Sequence, residues 1–96
     1  MTKDETLRRL KVAKTDLARR FGVTDLALFG SQARNDAGVA SDVDILVSFD
    51  GPATSRRYFG VQFYLEDLLG RPVDLISDKG IRPELRPFIE REAIHV

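Results

Sequence analysis

The sequence contains no cysteine and a single histidine, His95. The first absence removes disulfides, thiolate metal sites and cysteine nucleophiles together. The second leaves no pair of imidazoles for a zinc site, so His95 reads as a structural or surface residue on the tail. Ser41 has no histidine near it to serve as base, and reads as a turn or capping residue rather than a nucleophile. An excess of charge of either sign is also missing: Lys+Arg and Asp+Glu both number 15. A chain built to grip a nucleic-acid backbone would be basic, so that role is not indicated. No apolar run approaches the ~20 residues that span a bilayer. The opening residues, MTKDETLRRL, lack the apolar stretch of a signal peptide. A soluble, cytoplasmic protein is therefore expected. Neither G-x-x-x-x-G-K-[ST] nor G-x-G-x-x-G occurs, which removes the common phosphate-loop signatures.

What is present suits one small domain, residues 1–96, with 43% apolar residues for its core. Thr2 and Glu5 have capping-box spacing. Leu7, Leu10, Ala13 (or Lys14), Leu17 and Phe21 then trace one helical stripe that Gly22 is placed to end. Arg8, Arg9, Lys11, Arg19 and Arg20 fall on the opposite face, which is either an ordinary solvated face or a docking surface. Leu26 to Phe29 is a short buried strand ending at Gly30. Residues Ser31 to Ser41 read as a turn with a short helical piece and then a loop. Val43 to Phe49 is a second strand, closed by Asp50-Gly51-Pro52. A helix from Thr54 or Ser55 to Leu69 turns Tyr58, Val61 or Gln62, Leu65, Leu68 and Leu69 inward. Gly60 weakens it by ~1 kcal/mol relative to Ala. Tyr58, Phe59, Phe63 and Tyr64 read as helix core rather than a base-stacking platform. Val73 to Ile76 is a third strand. Pro83 suits the first turn of a last helix running to about Glu92; Pro87 either kinks that helix or moves its start. Ala93 to Val96 adds a short final strand. The fold class is mixed α/β, with a small sheet of three or four strands and flanking helices.

Asp42 and Asp44 stand two apart at the mouth of the second strand. Residues i and i+2 of a strand face the same way, roughly 6.5–7 Å apart. Two like charges this close are unfavourable without a cation or strong donors between them. Val43, Ile45 and Val47 alternate to the other face, where a helix can cover them. The pattern aims two carboxylates at one point on a stiff platform, which suits a Mg²⁺ pair. Asp74 interrupts Val73-Asp-Leu-Ile, where a core strand would want an apolar residue. It is either a residue on the open face of an edge strand or, if that strand pairs beside the second, the third carboxylate of a metal site. Phe29-Gly30-Ser31 ends a strand in a turn into a helix, exposing N–H groups and a hydroxyl to an anion. Arg34 is a further candidate phosphate contact, or else braces the loop through Asp36 or Asp42.

Together, Leu28-Phe-Gly-Ser-Gln-Ala-Arg-Asn35 and Ser41-Asp-Val-Asp-Ile-Leu-Val47 resemble the minimal nucleotidyltransferases, a branch of the DNA polymerase β superfamily that includes antitoxins. The pattern is G-S-x-A-R-G, a short loop, S-D-x-D, and a third Asp on a later strand. Asn35 departs from it, standing where Gly is common. Asn tolerates the left-handed conformation better than most residues. The resemblance implies that Gly30 and Ser31 hold the β- and γ-phosphates of ATP. It implies that Asp42, Asp44 and Asp74 hold two Mg²⁺ ions, with Asp74 accepting the proton of the attacking hydroxyl. It further implies a HEPN-domain toxin as partner, silenced by transfer of AMP to a tyrosine. So small a chain has no room for a closed acceptor pocket, which fits an acceptor presented by another macromolecule or a second copy. Two alternatives are an antitoxin that neutralises by docking alone and half of a small-molecule nucleotidyltransferase.

Overall fold

The computed structural model describes residues 2–34 and 42–96, apart from the side chain of Gln32. The turn at Asn35, the Asp36 partner suggested for Arg34, and Ser41 lie outside them. Helix α1 spans Lys3–Phe21. The Thr2 hydroxyl accepts the Glu5 N–H at 3.2 Å, satisfying one of the helix's free donors. Asp4 and Glu5 in the first turn and Arg19 and Arg20 in the last complement the helix dipole. Gly22 ends the helix at φ 73°, and its N–H donates to the Ala18 carbonyl. Thr6 lies in the buried stripe because its hydroxyl donates to the Thr2 carbonyl.

Four strands follow: β1 (Val23–Phe29), β2 (Val43–Phe49), β3 (Val73–Ser77) and β4 (Ile94–His95). Their order across the sheet is β3-β2-β1-β4. β1 pairs antiparallel with β2 and β4, while β2 and β3 run parallel. Parallel neighbours need a long crossover, which helix α3 (Ser55–Leu69) supplies. β1 begins three residues earlier than its apolar run, and a register irregularity between Val23 and Asp25 absorbs the polar start.

The two sheet faces are unequal. On one, Leu10, Leu17, Val61 and Leu65 from α1 and α3 pack with Leu26, Leu28, Val43, Ile45 and Val47. Burying each such side chain is worth about 1.5–3 kcal/mol. The other face holds a smaller cluster of Ala27, Phe29, Leu46 and Ile81, with Ile89 against it. Ile89 lies on α4 (Arg86–Glu92), and Ile81 follows a single 3-10 turn at Asp78–Gly80.

Two expectations are corrected. The last helix starts at Arg86 instead of Pro83, with Pro87 in its first turn. A start at Pro83 would set Pro87 inside the helix, removing a hydrogen bond and crowding the carbonyl four residues back. The four aromatics of α3 also divide: Tyr58 and Tyr64 pack against the core, but Phe59 and Phe63 face solvent. Gly60 has a packing reason, since a Cβ there would lie 2.3 Å from Phe21 Cε1.

β3 is an edge strand, and α3 covers its edge. Tyr58 donates to the Leu75 carbonyl, Gln62 Nε2 donates to the Val73 carbonyl at 3.4 Å, and Glu66 accepts the Val73 N–H at 3.0 Å. Spacing of four residues keeps these three side chains in line along one helix face. Among the described residues no helix is long and apolar enough to cross a membrane.

Candidate active site

The strand directions gather the singled-out residues at one end of the sheet. β1 ends at Phe29, opposite Asp44 near the start of β2. Asp44 in turn pairs in register with Asp74 near the start of β3. Residues in one row across a sheet point to the same face. The two aspartates therefore share the face of Phe29 and Leu46, away from α1 and α3. Asp42 stands exposed just before β2.

Short helix α2 (Gly30–Arg34) begins directly after β1. Gly30 takes φ 73°, a conformation that costs other residues strain. A Cβ there would lie 2.2 Å from Asp44 Oδ2, so the carboxylate occupies the space a side chain would fill. Ser31 follows, half-buried, in the first turn of α2.

Asp44 is partly buried, and its carboxyl is pushed above the ordinary aspartate value. Burial contributes most, followed by the charge of Asp74 and a hydrogen bond with it, then the charge of Asp42. Arg34 opposes the shift with its positive charge. Desolvation and nearby like charge both disfavour the carboxylate form. A divalent cation among these oxygens would reverse that balance, and an all-oxygen donor set suits Mg²⁺. Among the described residues no group of three such ligands stands close enough together to hold a metal ion; Asp44 and Asp74 pair, and the charge of Asp42 reaches Asp44.

Arg34, read as a phosphate contact or a brace, reaches both oxygens of Glu92 on α4 at 3.0 Å. Glu92 is the residue that sequence reasoning missed. It sits 58 positions away with no pattern linking it to Arg34, and only the packing of α4 on α2 brings it close. His95, given a structural role, contacts Asp25 at 2.7 Å across the β1–β4 pair.

Comparison with known proteins gives the family. Residues 10–96 match the nucleotidyltransferase domain family. The chain is similar to the protein adenylyltransferase MntA of Thermococcus cleftensis, with 35% identity over 96 residues, covering 100% of this chain and 97% of that protein. It also resembles a solved structure described as a minimal nucleotidyltransferase, with TM-score 0.82 and 40% identity over 98% of this chain and 95% of the other. A structure of tri-AMPylated Shewanella oneidensis HEPN toxin in complex with MNT antitoxin matches with TM-score 0.64 over 93% of this chain and 68% of that one. At 20% identity, this last likeness is one of fold.

Proposed function

The chain belongs to the nucleotidyltransferases, as a minimal member of that family, and from this premise we propose that it moves AMP from ATP to a tyrosine hydroxyl of a HEPN-type toxin, acting as that toxin's antitoxin. The observation that carries the reading is the row of Asp44 and Asp74, with the Asp44 carboxylate seated where a side chain at Gly30 would stand. A protein acceptor is supported by the Thermococcus relative, whose name is protein adenylyltransferase. The HEPN partner is supported by the similarly folded MNT antitoxin, which is bound to an AMPylated HEPN toxin.

Asp42, Asp44 and Asp74 would hold two Mg²⁺ ions. When bound, these would sharpen the attacking hydroxyl and stabilise departing pyrophosphate. Gly30 and Ser31 receive the β- and γ-phosphates, with the glycine permitting close backbone approach. Arg34 adds positive charge beside the phosphates, held in place by Glu92. Asp74, the more exposed of the paired aspartates, takes the proton of the incoming hydroxyl. The acceptor oxygen bonds to the α-phosphorus as the bond to pyrophosphate breaks, in line.

The test uses labelled ATP, Mg²⁺, the chain and its co-purifying partner, beside the Asp42→Ala, Asp44→Ala double variant. Label on the partner with wild type alone supports the proposal. A stable complex without label in either case would replace it with neutralisation by docking.

A further inference from the structure

Helix α3 turns one stripe away from the sheet: Arg56, Phe59, Phe63 and Asp67 are all exposed. At ~100° per residue these four fall within roughly 80° of one another. Phe59 and Phe63 are 49% and 64% exposed, and their rings stack with centroids 6.3 Å apart. Large apolar side chains exposed side by side mark interaction surfaces more often than singly scattered ones do. The charges flanking them are unspent. Among the described residues neither Arg56 nor Asp67 has an ion-pair or side-chain hydrogen-bond partner, whereas adjacent Arg57 pairs with Asp50.

Those flanking charges also oppose the helix they sit on. A cation near the N-terminus and an anion near the C-terminus are the unfavourable order for a helix dipole. α1 shows the favourable order, acidic first and basic last. Helix stability therefore does not account for Arg56 and Asp67.

The stripe is symmetric about its centre. The midpoint of Phe59 and Phe63 is Val61, and that of Arg56 and Asp67 falls between Val61 and Gln62. A two-fold contact demands this of a surface: each residue must meet a complement in the same patch of its copy. We propose that the stripe is an interface between two copies of this chain, with α3 packed antiparallel on α3. Phe59 meets Phe63 of the second copy, and Arg56 meets Asp67 of the second copy, each twice. Antiparallel packing also opposes the two helix dipoles favourably. The bonds from Tyr58, Gln62 and Glu66 to β3 hold α3 in place for this contact. The Asp44–Asp74 row lies on the other face of the sheet, so pairing leaves it open. Four aromatic rings and two ion pairs make a small interface, one that dissociates on dilution.

Sedimentation equilibrium of the full chain over a concentration series tests this. Wild type self-associates to a dimer. Arg56→Asp and Asp67→Arg each set like charges opposite one another and weaken association by roughly tenfold or more. Mixed in equal amounts, the two variants restore opposite charges at both contacts and form a one-to-one dimer. Phe63→Ser, at an exposed position, retains the far-ultraviolet circular dichroism of wild type and loses the dimer. A wild type that is monomeric throughout the series overturns the proposal. So does a variant mixture that associates no better than either variant alone, which would detach any dimer from this stripe.

Discussion

Gly30 and Asp44 fit one another: a Cβ on residue 30 would stand 2.2 Å from Oδ2 of Asp44, at a backbone φ of 73°. Gly30→Ala therefore incurs backbone strain of about 1–3 kcal/mol and displaces the carboxylate as well. A misplacement near 1 Å costs about 100-fold in rate. AMP transfer should fall by at least that factor while the midpoint of urea unfolding drops. A variant with wild-type activity would show that Asp44 does not need its present position.

Asp44 carries a testable cost. Its carboxyl is raised by burial, by Asp74 and by Asp42. For a group raised on folding, stability is fully present below the unfolded value, about 3.9 for Asp, and is lost as pH rises through the folded value. In EDTA at neutral pH, Asp44→Asn should thus melt a few degrees above wild type, and in Mg²⁺ it should show no AMP transfer. That advantage should vanish as pH falls below about 3.9. Added Mg²⁺ should raise the melting temperature of wild type and leave the variant unmoved. A variant less stable than wild type in EDTA at neutral pH would refute the repulsion argument.

Gly60 tests packing against propensity. Alanine is the better helix former by about 1 kcal/mol, yet its Cβ would lie 2.3 Å from the ring of Phe21. Overpacking costs about 1–3 kcal/mol, so Gly60→Ala should be neutral to destabilising in urea. Adding Phe21→Leu should recover part of any loss. A clear gain from Gly60→Ala alone would mean the ring moves aside freely.

Glu66→Ala removes the acceptor from the Val73 N–H. An orphaned donor costs about 1–3 kcal/mol, and faster hydrogen exchange at the Val73 amide should locate the loss. Glu66→Gln keeps a carbonyl acceptor and should retain most of the protection. Equal exchange in all three proteins would show that the bond adds no protection.

Much of this architecture is written locally. Thr2, Glu5 and Gly22 mark both ends of α1, and the alternating Val43, Ile45 and Val47 mark β2. Asp44 and Asp74 stand out because each breaks an apolar pattern. Their adjacency was conditional, because periodicity shows which way a side chain faces and not which strand lies alongside. The register of β2 with β3 is a tertiary fact. The same holds for Glu92 beside Arg34, and for Phe21 beside Gly60, which turns a weak helix position into a fitted one. Pro83 and Pro87 competed for one role, and local sterics favoured the second. Phe59 and Phe63 read as core by residue type alone, yet their helical phase points outward.

The parallel pairing of β2 with β3 also bears on how the chain matures. Asp44 and Asp74 belong to neighbouring strands separated by the whole of α3, so no fragment ending before β3 contains both. During synthesis the first aspartate is made long before the second. Their meeting is among the long-range contacts that close slowly, and it brings like charges together. The third strand thus docks against an electrostatic headwind that a proton or a divalent ion would calm.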